Sequence, residues 1–86
     1  MNYTLAIFKS RFATLNFANL LRSQNVPVAV INTPQSLSSA CGISVKFLSD
    51  FYPIAEQILI ARGLQGSFMG FFAIINDNGR QILKQL

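Results

Sequence analysis

One cysteine and no histidine in 86 residues set the strictest limit on what this chain can fold into. A lone thiol closes no internal disulfide. With no histidine and only three scattered acids, Asp50, Glu56 and Asp77, one chain cannot assemble a first-row metal site or a Cys–His dyad. The fold must therefore be held by buried apolar surface, with oligomerisation as the available reinforcement. The length suits a single domain, residues 1–86, near the small end of what folds unaided. Hydrophobic residues make up 51% of the chain and charged residues 12%, the latter about half the usual share. This balance predicts an ordered chain with some apolar surface left for a partner to cover.

The net charge of +4 comes from a shortage of acids. Lys9, Arg11, Arg22, Lys46, Arg62, Arg80 and Lys84 are dispersed, with no basic run of the kind nucleic-acid tails use, so no nucleic-acid partner is expected. The longest apolar stretch, Phe68 to Ile75, is far short of the about 20 residues a spanning helix needs, and no membrane role is expected. Met1-Asn2-Tyr3-Thr4 has neither a basic n-region nor a small-residue cleavage site. A cytoplasmic location is expected.

Six elements can be read along the chain. Tyr3 to Phe8 is a short apolar strand. Ser10 is a suitable N-cap for a helix over Phe12 to Ser23, with Ala13, Phe17, Leu20 and Leu21 at helical spacing and Asn25 and Pro27 beyond its end. Pro27 to Ile31 is β-branched. Ile43, Val45 and Phe47 alternate with Ser44 and Lys46 through Leu48, as in a half-buried strand. Ser49 or Asp50 caps a second helix with Pro53 in its first turn, a stripe of Phe51, Ile54, Ala55, Ile58 and Leu59, and Gly63 at its end. Ser67 to Ile75 is a long apolar strand, Asp77-Asn78-Gly79 a turn, and residues 80–86 a short C-terminal helix or tail outside a core of about residues 3–76. The order βαββαβ predicts an α+β, ferredoxin-like fold, an antiparallel four-stranded sheet with two helices on one face.

Cys41 falls in the connection between the second and third strands, within Thr33-Pro34-Gln35-Ser36-Leu37-Ser38-Ser39-Ala40-Cys41-Gly42. Small polar residues, a proline and a glycine make this a permissive loop in which a thiol can be reached. The expected topology brings it to the same end as Lys9, Ser10, Arg11 and Arg62, beside the N-terminus of the first helix. Helix N–H groups and cations there favour the thiolate and attract small anions. Plainer readings stand alongside. A free cysteine is commonly a small buried hydrophobe, Gly42 suits a strand entry needing positive φ, Ser38 and Ser39 suit local backbone bonding, and Lys9, Arg11 and Lys46 suit solvated surface.

The residues Phe8-Lys9-Ser10, Ala13, Leu20-Leu21, Pro27-Val28, Thr33-Pro34 and Ser38-Ser39-x-Cys41-Gly42-Ile43, with Lys46-Phe47 closing the next strand, resemble a specific family. It is the small selenium/sulfur carrier protein-like family, and the similarity covers roughly residues 5 to 65. The resemblance implies that Cys41 carries sulfur or selenium as a persulfide or selenosulfide, passed between donor and acceptor proteins. Relatives usually have a basic residue after the proline; here it is Gln35, which implies a weaker positive field at the loop.

The leading expectation is thus a carrier rather than a true enzyme, with no cofactor. Cys41 is the carrier thiol, Ser38, Ser39 and Gly42 its supporting loop, and Lys9, Ser10, Arg11 and Arg62 the anion- or thiolate-stabilising groups. The alternative is a non-catalytic oligomerising or partner-binding module in which Cys41 is structural. Under both, the apolar fourth strand predicts a homodimer or a hetero-complex, with a homodimer through the open sheet face as the leading expectation.

Overall fold

The computed structural model describes residues 2–37 and 41–86 and shows five strands and two helices. They are β1 (Tyr3–Phe8), α1 (Arg11–Ser23), β2 (Val28–Asn32), β3 (Ile43–Leu48), α2 (Tyr52–Ala61), β4 (Phe68–Asp77) and β5 (Arg80–Gln85). All pairings are antiparallel, in the order β2-β3-β1-β4-β5. The α+β class holds. The expected four-stranded ferredoxin-like sheet does not, because a fifth strand occupies the edge where residues 80–86 were expected to form a helix or tail.

The cause of that correction lies in the turn. Asn78 and Gly79 both adopt positive φ, +51° and +80°. This is the two-residue geometry whose twist matches paired strands, and glycine takes it without steric cost. The chain therefore returns along β4 in continuous register from Asp77 opposite Arg80 to Phe72 opposite Gln85. Asn-Gly is a recognisable hairpin turn, but the mixed run Arg80-Gln81-Ile82-Leu83-Lys84-Gln85 that follows it carries no strand pattern of its own.

Local chemistry explains the helices. The Ala13 N–H donates to Ser10 Oγ at 3.0 Å, which caps α1 as expected. Its other end is closed by Asn25 at φ +62°, with the Val26 N–H reaching back to the Leu21 carbonyl. α2 starts differently from the expectation. A 3-10 turn over Ser49–Phe51 precedes it, and no side chain caps it. Ser49 instead exchanges a hydroxyl hydrogen bond with Thr4 at 2.8 Å.

Strand alternation divides the sheet. Ala6, Phe8, Val45, Phe47 and Phe71 face the helices and join Phe17, Ala18, Leu21, Ala55 and Leu59 in one core. Phe8 lies 5.1 Å from the Phe17 ring and 5.2 Å from Phe68, and Phe68 lies 4.7 Å from Phe71. With no covalent staple, this aromatic cluster supplies much of the burial that offsets chain entropy. The other face is more closed than its strand pattern predicts. Leu5 and Ile7, which point away from the helices, are 0% and 1% exposed. Phe72 lies against Gly70 beside them, and Lys46 Nζ sits 4.4 Å above the Tyr3 ring. No helix among the described residues is long and apolar enough to cross a membrane.

Tyr52 packs edge-on against Phe71 at 5.0 Å and donates its hydroxyl to Glu56 Oε2 at 3.2 Å. Its phenol is held above the ordinary value, first by burial and then by the charge and hydrogen bond of Glu56. A raised folded value means that this contribution to stability is complete below about pH 10 and lost as the phenol ionises at higher pH. In a Tyr3→Phe background, ultraviolet titration should show Tyr52 ionising above the ordinary tyrosine range. Adding Glu56→Gln should move the midpoint down; an unchanged midpoint would remove Glu56 as a cause and leave burial alone.

Candidate functional site

Cys41 sits at the end of the sheet where β1 runs out and α1 begins. Its sulfur lies 3.5 Å from the Phe8 carbonyl oxygen, 3.4 Å from the Ile43 carbonyl oxygen and 3.5 Å from Thr14 Oγ1. Each partner comes from a different element: the last residue of β1, the first of β3 and the first turns of α1. The cysteine is half-buried, with its sulfur held among these three oxygens.

The loop is drawn to this place at its neck. The Thr33 N–H donates to the Gly42 carbonyl at 2.9 Å, and the Thr33 and Ser44 hydroxyls share a hydrogen bond of 2.6 Å. Between them Gly42 takes φ +75°, a left-handed conformation that costs an L side chain about 1 kcal/mol or more. No atom lies where a Cβ would project, so backbone conformation, and not space, selects glycine there. A turn closed by the Leu37 N–H on the Pro34 carbonyl contains the exposed Gln35.

The three described oxygens differ in what they can do for sulfur. The two carbonyls only accept, so either can receive the hydrogen bond of the neutral thiol's one S–H. The Thr14 hydroxyl donates to the Ser10 carbonyl at 2.9 Å, and as a rotor it can instead donate to the sulfur once that is ionised. Thr14 is fully buried, which confines its hydroxyl to these two choices.

The sequence-predicted residues separate. Ser10 reaches the site indirectly, because its side chain caps α1 and its carbonyl receives the Thr14 hydroxyl. Gly42 shapes the neck. Lys9 and Arg11 are exposed at the same end of the fold, and the Lys9 N–H ties the exit of β1 to the Ser67 carbonyl at 2.7 Å. Arg62 lines the groove between the helices with Leu20, Ser23, Gln24, Ile58 and others, a hollow of about 310 Å³. Ser38 and Ser39 lie outside the described residues. Thr14 and the Phe8 carbonyl were missed. Thr14 did carry a signal, as a polar residue on the stripe of Phe17 and Leu21, four residues after the cap.

Residues 2–69 match the protein family described as "Putative Se/S carrier protein-like". The chain belongs to this family. The match spans β1 through the start of β4, so it contains every contact of the sulfur described above and stops before the β4–β5 hairpin. No curated protein and no solved structure matches the chain.

Thr14→Val should remove the one described partner able to donate to ionised sulfur. Alkylation of Cys41 by iodoacetamide near neutral pH should slow, with a stability loss of about 1 kcal/mol. Thr14→Ser should restore the rate. Equal rates in all three proteins would show that the hydroxyl has no part in the thiol's reactivity.

Proposed function

We propose that this protein carries a sulfane sulfur or selenium atom on Cys41 and passes it from a donor protein to an acceptor. The observation that carries this reading is the position of the one cysteine inside the family match. It is half-buried in a cradle built from β1, α1 and β3. The chemistry is exchange. The Cys41 thiolate attacks the terminal sulfur of a donor persulfide, R–S–SH; the Cys41–S–SH bond forms as the donor S–S bond breaks, and R–S⁻ leaves. Charge and protons balance, no oxidant enters, and no general base is needed once the thiol is ionised. With selenium as the transferred atom the same step yields a selenosulfide.

Incubating the full chain with a cysteine desulfurase and cysteine should raise its intact mass by one sulfur atom, removable by a reductant. Cys41→Ser should gain nothing. No gain in the natural chain, or an equal gain in the variant, would favour the reading in which the protein is a binding module with a structural cysteine.

A homodimer belongs to the same proposal. The half-buried row Ile31, Leu48, Phe72 and Leu83 on the open sheet face is what a second copy would cover. Sedimentation at rising concentration should show a dimer. A Phe72→Lys variant should be monomeric; a monomer at all concentrations in the natural chain would remove this part.

A further inference from the structure

The core does not account for the outward side of α1. Phe12 is 70% exposed and Leu15 38%. They line one surface hollow with Arg11, Asn16 and Asn19, while Ala13, Thr14, Phe17, Ala18 and Leu21 of the same helix are buried. A phenylalanine standing this far into water at a helix start buries little of its surface in the fold, and an aromatic anchor beside an arginine is the usual make-up of an interface centre. The stripe begins at the end of α1 that meets the thiol. Thr14, which touches the sulfur, stands between Phe12 and Leu15 in sequence and one turn beyond Arg11.

Charge argues for the occupant. The first 49 residues contain four cations, Lys9, Arg11, Arg22 and Lys46, and no acid. Asp50 follows β3, whose end pairs with the start of β1, and Asp77 ends β4. Both lie at the end of the sheet away from Cys41. Glu56 is on α2, bonded to Tyr52. The cysteine end therefore presents exposed Lys9 and Arg11 around an apolar anchor with no acid of its own nearby. Two copies meeting through this stripe would press those like charges together, which disfavours self-association there.

Resting on the carrier reading of Cys41, we infer that Lys9, Arg11, Phe12 and Leu15 form the docking surface for the persulfide-bearing donor protein. The donor's contact face is an apolar recess rimmed by carboxylates. Phe12 enters the recess, the cations meet the rim, and the donor's terminal sulfur is brought to Cys41 for the exchange described above. Steering of this kind depends on ionic strength.

The test compares two donors on the natural chain, Phe12→Ser and the double variant Lys9→Glu/Arg11→Glu, reading the initial rate of sulfur gain on Cys41 by intact mass. One donor is a cysteine desulfurase with cysteine; the other is glutathione persulfide, too small to use a docking surface. Transfer from the desulfurase should fall by about tenfold or more in each variant and should slow in the natural chain as salt rises. Glutathione persulfide should load the natural chain and Phe12→Ser alike, which also shows that this variant is folded, and should slow far less than the desulfurase on the double variant, whose two added carboxylates repel this anion. Unchanged desulfurase rates in the variants overturn the inference while leaving the carrier reading intact. So does an equal slowing with both donors, which would place these residues' effect on the thiol itself. Loading of the natural chain by neither donor removes the carrier reading, and this inference with it.

Discussion

The burial of Phe8 is the constraint on which the rest of the structure depends. It closes the central strand, and its ring is fully buried between Phe17 of α1 and Phe68 at the start of β4. In a chain with one cysteine and no histidine, contacts of this kind replace covalent or metal staples. Truncating such a ring to alanine costs about 3–5 kcal/mol, a large part of the stability expected for so small a domain. The same residue offers its carbonyl oxygen to the Cys41 sulfur. Core and site are therefore one construction, since whatever fixes the Phe8 ring also fixes one wall of the thiol's cradle.

The cradle has an economy that follows from α1. Ser10 caps the helix with its side chain, and its carbonyl accepts both the Thr14 N–H and the Thr14 hydroxyl. Thr14 then touches the sulfur. The helix start thus reaches the thiol through one side-chain hydroxyl that can accept from the neutral thiol or donate to the ionised one. Carbonyls that accept from the neutral thiol and a rotor that can donate to the ionised one give the sulfur a hydrogen-bond partner in either state.

The elements differ in how far they could be read in advance. β1, β3 and α1 were legible because alternation, helical spacing and the Ser10 cap all agree. Their observed limits differ from the reading by at most a residue. β5 was not legible, because Arg80-Gln81-Ile82-Leu83-Lys84-Gln85 matches neither a helical nor an alternating pattern. It becomes a strand because Asn78 and Gly79 turn the chain back onto β4, whose edge needed a partner. The start of α2 was misread because Ser49 is drawn away to Thr4 and Asn2. Cys41, Gly42 and Ser10 are singled out in the sequence by residue type and position, and the structure brings them to one end of the sheet. Thr14 went unnoticed because one threonine in an apolar helix stripe looks like tolerated packing until its neighbour is known.

The sequence by itself determined the class of elements, the dependence on apolar burial and the absence of a Cys–His dyad within one chain. These follow from counts and local patterns, which do not change with tertiary arrangement. It also carried the family and the identity of the thiol. Only the tertiary structure decided the five-stranded sheet, the closing of the open face over Leu5 and Ile7, and the assignment of Thr14 to the sulfur while Arg62 went to the groove between the helices. Each of these depends on which residues distant in sequence come within a few ångströms, and that is set by packing around Phe8 rather than by any local run of residues.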